Sequence, residues 1–93
     1  EAVETLDKYN FTKGFWGTNG ISVTKGFSTP EVKEAMVKKH SIENCKKCYI
    51  LADPSKFDQM SSVKFADFDQ ATILTTGLLK PALKKYKNIV EVK

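Results

Sequence analysis

Five consecutive apolar residues, Cys48-Tyr49-Ile50-Leu51-Ala52, form the clearest structural signal in this sequence. A run of this length has the size of a strand, and unbroken apolarity is typical of a strand that is covered on both faces of a parallel sheet. It is far too short to cross a bilayer. We therefore predict a strand over residues 47–53, which ends because Asp53-Pro54-Ser55 breaks it.

Strands and helices are predicted to alternate along the 93 residues. Further strands are expected at residues 11–18, 71–76 and 88–92, where aromatic or β-branched residues collect. Asn19-Gly20 and Gly26 act as loop breakers after the first strand. Residues 56–69 give no clear pattern.

Two helices are expected between these strands. The first begins with Thr29 as its cap and Pro30 at its first helical position, and it ends near Asn44. Its apolar stripe consists of Val32, Ala35 and Met36. The second is a short amphipathic helix marked by the spacing of Leu79, Ala82, Leu83 and Tyr86, with Pro81 in its first turn.

This order of elements predicts an α/β fold with a largely parallel sheet flanked by helices. In such sheets, ligands bind beyond the carboxyl ends of the strands. The residues expected at those ends are Thr18-Asn19-Gly20, Asp53-Pro54-Ser55-Lys56 and Thr75-Thr76-Gly77.

The positive charge of the chain comes entirely from lysine. The net charge is +4, and the sequence contains no arginine. Because base and phosphate recognition relies heavily on the arginine fork, the chain is a poor candidate for a module that reads DNA sequence. Its first residues show no signal-peptide pattern, so we expect a cytoplasmic protein that does not associate with membranes.

Cys45 and Cys48 have the C-x-x-C spacing, which leaves two interpretations open. One is a redox or zinc site, although the pair follows a helix instead of preceding one, and His40 is the only histidine. The other is a purely structural pair, with Cys48 in the core and Cys45 near the surface. We favour the second interpretation and expect neither a metal nor a cofactor.

Three further features each have a functional and a structural interpretation. Lys56 follows Asp53 and Ser55 within one turn, so its ammonium could bind phosphate or belong to an ordinary Asp-Pro turn. Glu34 and Lys38 have the i,i+4 spacing of a helix-supporting pair, unless they face the site. Gly17 is expected to allow close approach of a ligand or of a neighbouring strand.

Four motifs, in this order along the chain, resemble those of one protein family. They are Phe15-Trp16-Gly17-Thr18-Asn19-Gly20-Ile21, Gly26-Phe27-Ser28-Thr29-Pro30, Glu34-Ala35-Met36-Val37-Lys38 and Ile50-Leu51-Ala52-Asp53-Pro54-Ser55-Lys56-Phe57. Together they resemble the sensor region of the DeoR-type sugar-metabolism repressors of bacteria, from about Lys8 to the end of the chain. Within that family, the first two motifs are most similar to those of regulators of fructose or lactose phosphotransferase operons.

The resemblance implies a sensor and not an enzyme. The sensor domain of this family is similar to ribose-5-phosphate isomerase and glucosamine-6-phosphate deaminase, it senses a phosphorylated sugar, and a separate winged helix-turn-helix binds DNA. By the same resemblance the protein is a homo-oligomer, and residues 1–93 are the C-terminal part of the sensor, without the DNA-binding domain and the upstream half of the sensor.

The resemblance also carries the site residues over to this chain. Thr18, Asn19 and Gly20 would lie beside the sugar, Lys56 would be the nearby cation, and Asp53 would hold or balance it; Thr29 and Glu34 would contribute less. The third strand departs from the family pattern, because Gly77 follows Thr76 where an aspartate is common.

Two alternatives to the sensor remain open from sequence. One is a sugar-phosphate isomerase or deaminase, although Asn19 stands where the deaminases have an acid and cannot act as a base. The other is an oligomerisation module, in which exposed strand edges and apolar surface favour self-association.

Overall fold

The computed structural model describes residues 10–77 and 80–92. One helix and seven strands make up the regular structure of these residues. They are β1 (Phe11–Gly17), β2 (Gly20–Ser22), β3 (Gly26–Thr29), α1 (Val32–Glu43), β4 (Cys45–Leu51), β5 (Val63–Ala66), β6 (Thr72–Thr76) and β7 (Ile89–Val92). Short 3-10 turns lie at Pro54–Lys56, Phe68–Gln70 and Pro81–Leu83.

The larger sheet has the strand order β1-β4-β6-β7, and all three neighbouring pairs are parallel. Helix α1 lies on the connection between β1 and β4 and packs against both strands. The predicted α/β fold with a largely parallel sheet is therefore confirmed. Strand β4 begins and ends two residues before the predicted bounds.

A smaller antiparallel sheet with the order β2-β3-β5 was not expected from the sequence. Gly20 and Gly26, which the sequence predicted as loop breakers, are instead the first residues of the two short strands of a hairpin. Gly26 has a φ of +87°, and a Cβ there would lie 2.1 Å from the carbonyl oxygen of Ala66, so only glycine fits this close approach. The hairpin thus depends on a contact with a strand much later in the chain.

The two sheets and the helix enclose a single core. Phe27 is fully buried and stacks against both Phe65 and Phe68 at 6.2 Å between ring centroids. Trp16 connects β1 to the helix, because its indole N–H donates a hydrogen bond of 2.9 Å to the hydroxyl of Ser41. The largest fully buried side chains are Phe27, Ile21, Ile50, Ile73, Thr29 and Thr75.

The second face of the parallel sheet is open in the part of the chain that the structure describes. Phe15 and Leu51 are 57% and 50% exposed, and the ring of Phe15 stacks on Tyr49 at 5.2 Å. The prediction that the apolar run 48–52 is covered on both faces is therefore wrong within these residues. Alternate residues of the run, Cys48 and Ile50, are buried, because α1 covers only one side.

The beginning of α1 also differs from the prediction. Glu31 is the cap, the helix starts at Val32, and Thr29 is the fully buried last residue of β3. Thr29 cannot cap the helix because its backbone pairs with Val63 in the smaller sheet. The predicted end is confirmed, with Asn44 as the C-cap.

The apolar residues of the two predicted helices behave differently from expectation. In α1, Ala35 is buried, whereas Val32 and Met36 are exposed, so the predicted stripe does not face the core of these residues. The second predicted helix is reduced to the 3-10 turn Pro81–Leu83, with Leu83 buried; Leu79 lies outside the described residues. No helix within residues 10–77 and 80–92 is long and apolar enough to span a membrane.

Candidate functional site

The two predicted groups of site residues follow neighbouring strands. Gly17 at the end of β1 pairs in register with Leu51 at the end of β4. Because the strands are parallel, the loop after β1 and the turn after β4 leave the sheet at the same edge. The chain after the turn then runs beside the loop, where the amide of Asp58 donates to the carbonyl oxygen of Ile21 at 2.9 Å.

Thr18 shapes the loop from the inside. Its buried hydroxyl reaches the carbonyl oxygens of Gly20 at 2.9 Å and of Ser28 at 3.1 Å, and the amide of Asn19 donates to the same Ser28 oxygen at 3.0 Å. The Thr18 side chain is therefore occupied in fixing the backbone. Asn19, by contrast, is exposed.

Gly20 brings the loop against the segment that follows the turn. A Cβ at this position would lie 2.4 Å from the carbonyl oxygen of Gln59 and 2.9 Å from the hydroxyl of Ser28. Gly20 is thus needed for packing and offers no side chain to a ligand. Gly17 is different, since a Cβ there would meet nothing within 4 Å. The expected close approach of a neighbouring strand at Gly17 is therefore wrong.

Thr29 links the loop to the helix. Its hydroxyl donates a 3.3 Å hydrogen bond to the side-chain oxygen of Asn19, and it makes a small contribution to the lowered pKa of Glu34. Asn19, Thr29 and Glu34 come from three different parts of the chain and lie near one another.

Lys38 completes this cluster and was not among the predicted site residues. Its ammonium lies 2.7 Å from the Glu34 carboxylate and donates a 2.7 Å hydrogen bond to the carbonyl oxygen of Gly17. The hydrogen bond and charge of Lys38, and to a smaller extent the Thr29 hydroxyl, hold the pKa of Glu34 below its ordinary value of 4.5. The i,i+4 spacing in the sequence identified the pair, but only the tertiary contact with Gly17 shows that it faces the end of β1.

The turn after β4 holds the second group. Asp53 caps the 3-10 turn Pro54–Lys56, and its carboxylate accepts hydrogen bonds from the backbone amide and the hydroxyl of Ser55. These bonds, and to a smaller extent the charge of Lys56, lower the pKa of Asp53. Asp53 therefore orders the turn mainly through Ser55, and Lys56 lies half-buried at its end.

The cysteine pair lies at the opposite, amino end of β4. Both cysteines are free, with Cys48 buried and Cys45 partly exposed, as the structural interpretation predicts. Burial, followed by the neighbouring Cys45, raises the pKa of the Cys48 thiol to about 11. Since the thiolate is the reactive form, this environment does not favour redox chemistry.

The arrangement at the carboxyl edge combines exposed hydrogen-bonding groups with an ion pair. The side-chain amide of Asn19 cannot act as a general base at neutral pH. The Glu34 carboxylate is ionised and paired with Lys38. Such groups can bind and orient a polar molecule. The fold thus defines an α/β domain whose polar side chains collect beyond the carboxyl ends of parallel strands.

The sequence model of the DeoR C terminal sensor domain matches residues 1–77 of this chain. The chain belongs to the DeoR C-terminal sensor domain family. HTH-type transcriptional regulator FruR of Bacillus subtilis, described as uncharacterized, is 42% identical over 88 residues, which are 95% of this chain and 35% of the relative. HTH-type transcriptional regulator IolR of the same organism is 37% identical over 72 residues, or 77% of this chain and 29% of the relative.

A third relative is less similar in sequence. HTH-type transcriptional regulator GlpR of Haloferax volcanii is 34% identical over 71 residues, covering 76% of this chain and 28% of the relative. The chain thus spans about a third of the length of these three relatives. The family is a sensor family and the relatives are transcriptional regulators, which confirms the prediction of a sensor domain that is not an enzyme.

Proposed function

We propose that this chain senses a phosphorylated sugar and thereby controls DNA binding by a separate helix-turn-helix domain of a transcriptional repressor of sugar uptake or metabolism. In this proposal, residues 1–93 are the C-terminal part of the sensor, and the protein acts in the cytoplasm. The fold would be the one shared with ribose-5-phosphate isomerase and glucosamine-6-phosphate deaminase. The printed names of the relatives support the regulatory role in general terms.

The observation that carries the proposal is the cluster at the carboxyl edge of the parallel sheet. Ligands of α/β domains bind at this edge. Here Asn19 is exposed, the Glu34 side chain is 45% exposed, and both are held in place by Thr29 and Lys38. In the proposed effector site, Asn19, Glu34, Asp53 and Lys56 face the ligand, while the buried Thr18, Gly20 and Thr29 shape the backbone behind them.

Binding can be tested by thermal unfolding with a panel of sugar phosphates. A ligand that binds only the folded state must raise the melting temperature, and at 100 times its Kd it adds about 2.7 kcal/mol to the free energy of unfolding. We expect one sugar phosphate to stabilise the protein and Lys56→Ala to remove the effect. Lys46→Ala is a matched control, because Lys46 is exposed near the opposite end of β4.

The panel should be applied both to this chain and to a protein that joins it to a helix-turn-helix domain. A sugar phosphate that stabilises the joined protein should also change its affinity for operator DNA. If no sugar phosphate raises the melting temperature of the joined protein, the proposed sensing function is wrong.

We also propose that the protein is a homo-oligomer. The support is the open face of the parallel sheet, where Phe15, Leu51, Val90 and Val92 are all exposed. Apolar patches of this kind mark interaction surfaces. Light scattering should show a mass that increases with concentration, and Leu51→Lys should shift the equilibrium towards monomer, whereas Met60→Lys, at an exposed residue outside the parallel sheet, should not. A concentration-independent monomer would contradict this proposal.

A further inference from the structure

A small cavity of about 140 Å³ lies where the smaller sheet meets residues 60–62. The side chains that line it are Lys25, Ser28, Met60, Ser61, Ser62 and Lys64. None of the residues that line this cavity is acidic, and none faces the ligand in the proposed effector site. A cavity of about 150 Å³ can hold a benzene molecule, so this one has room for a ligand of several heavy atoms.

Ser28 and Lys64 lie side by side in the wall of the cavity. They pair in the antiparallel ladder of β3 and β5, and residues directly opposite each other in such a ladder have their side chains on the same face. Successive side chains of a strand point to opposite faces. Thr29, the next residue of β3, donates to Asn19 in the candidate site. The cavity and the candidate site therefore lie on opposite faces of β3.

The hydroxyl of Ser28 is buried and does not use its proton within the described residues. Ser28 is 7% exposed, and its hydroxyl oxygen accepts a 2.9 Å hydrogen bond from the backbone amide of Ser61. A hydroxyl also donates one hydrogen bond. No acceptor for the Ser28 proton is found in residues 10–77 and 80–92. Because an unused buried donor destabilises the fold, an acceptor atom of a ligand in this cavity would be stabilising.

Two more hydroxyl groups belong to the segment that closes the cavity. Ser61 is half-buried and Ser62 is exposed, and neither side chain forms a hydrogen bond in the part of the chain that the structure describes. Gly20 lets this segment approach the sheet, because a Cβ there would lie 2.4 Å from the carbonyl oxygen of Gln59. Three hydroxyl groups with protons to donate thus line one cavity.

Two ammonium groups add positive charge to the lining. Lys25 is exposed and forms no ion pair within the described residues. Lys64 contacts the carboxylate of Asp67, but both side chains are more than half exposed, and exposed ion pairs of this kind are weak. Since an ammonium has three N–H donors, Lys64 keeps donors for a ligand. The lining therefore combines positive charge with hydrogen-bond donors.

We propose that this cavity binds a phosphate group, at a site separate from the proposed effector site. The hydroxyls of Ser28, Ser61 and Ser62 donate to the phosphate oxygens, and Lys25 and Lys64 balance their negative charge. Hydrogen bonds to ionised oxygens are stronger than those between neutral groups, and lysine binds phosphate as a point charge. This chemistry fits both inorganic phosphate and the terminal phosphate of a monoester. The inference does not depend on the proposed sensing function.

Amide-resolved NMR on the full 93-residue chain tests the site. The probes are inorganic phosphate and methyl phosphate, with chloride at the same ionic strength as the reference for screening. We expect inorganic phosphate to shift the backbone amides of Ser28, Ser61 and Ser62 with a saturable response, and chloride to leave them unmoved. A matching response to methyl phosphate would assign the site to monoesters, whereas a response to inorganic phosphate alone would assign it to the free ion.

Removal of single charges provides the sharpest comparison. Lys25→Met and Lys64→Met should each weaken phosphate binding about tenfold, because each variant loses a charged hydrogen-bond donor to the ligand. Lys33→Met is the matched control, since Lys33 is an exposed lysine of α1 outside the cavity and loses the same charge. Because a distant exposed charge is screened, this variant should change the affinity by no more than about twofold.

Three results would overturn the inference. If all three lysine variants weaken binding equally, phosphate is attracted by the positive charge of the whole chain and not by this cavity. If Lys56→Ala abolishes the shifts while Lys25→Met and Lys64→Met do not, phosphate binds at the proposed effector site, and sensing stands without a second site. If neither phosphate probe shifts the amides of Ser28, Ser61 and Ser62, the cavity is not a phosphate site, whatever the sugar phosphates do at the carboxyl edge.

Discussion

The ammonium of Lys38 lies 2.7 Å from the carbonyl oxygen of Gly17, and this contact ties the middle of α1 to the last residue of β1. The same ammonium holds the carboxylate of Glu34. One side chain therefore connects the helix, the strand end and the exposed acid of the candidate site. The predictions below test this connection and the packing around it.

Replacing Lys38 by methionine should destabilise the fold. The side chain keeps its length and apolar stem, but the Gly17 oxygen loses its donor, which costs about 1 kcal/mol. Chemical denaturation measures the free energy of unfolding. Lys39→Met, at an exposed position on the same helix, should change it by no more than about 0.5 kcal/mol. Equal effects at the two positions would show that the Gly17 contact is not stabilising.

The Glu34 carboxylate should make stability depend on pH. Its pKa in the folded protein is below the ordinary 4.5, so its stabilising contribution is complete above that pH and is lost as the pH falls through the folded value. The difference in unfolding free energy between wild type and Glu34→Gln should therefore shrink on acidification below pH 4.5. In a Lys38→Met background this pH dependence should weaken, because the main cause of the shift is gone. A pH-independent difference would contradict the assignment.

Two glycines three residues apart should respond oppositely to alanine. At Gly20 the added methyl group would collide with the backbone oxygen of Gln59, and overpacking of this kind costs about 1–3 kcal/mol. At Gly17 the methyl group meets no neighbouring atom, so Gly17→Ala should be neutral or stabilise by up to about 1 kcal/mol. Thermal or denaturant unfolding of the two variants distinguishes them, and destabilisation of similar size at both would refute this packing.

Thr75 offers a stabilising substitution. It is 1% exposed, and its hydroxyl has no hydrogen-bond partner among the described residues. Because an unsatisfied buried polar atom costs about 1–3 kcal/mol, Thr75→Val should stabilise the fold by about 1 kcal/mol. Thr29→Val removes a hydroxyl that donates to the side-chain oxygen of Asn19 and should destabilise the fold. A destabilised Thr75→Val variant would indicate a partner beyond these residues.

The Cys48 thiol should resist alkylation in the native protein. Burial raises its pKa to about 11, so the thiolate is scarce near neutral pH. In Cys45→Ala, where Cys48 is the only thiol, labelling by iodoacetamide should be slow in buffer and fast after denaturation. Rapid native labelling would instead favour the reactive interpretation of the C-x-x-C spacing.

The strands of the larger sheet could be predicted because their signals are local. Apolar runs and the breakers that follow them identified β1, β4, β6 and β7 to within about two residues. The hairpin β2–β3 could not be found in this way, since its strands have three and four residues. Its third partner, β5, pairs Val63 with Thr29 across a long stretch of chain, and no local pattern encodes that pairing.

The candidate site shows the same division between local and distant signals. The Asp53 turn was predictable because its carboxylate bonds Ser55, two residues away. Thr29 was wrongly assigned as a helix cap because its sequence neighbours favour that role, whereas pairing with β5 places it in a strand. Lys38 was missed as a site residue because its partner Gly17 lies 21 residues earlier in the chain.

Trp16 gives this molecule a built-in optical reporter. It is the only tryptophan in the sequence, and its indole is hydrogen-bonded to Ser41 on α1. Any displacement of the helix from β1 changes the polarity around this ring, and the emission of the indole responds to that polarity. Because Trp16 directly precedes the strand end that Lys38 holds, intrinsic fluorescence follows the movement of α1 beside the candidate site without a label or a mutation.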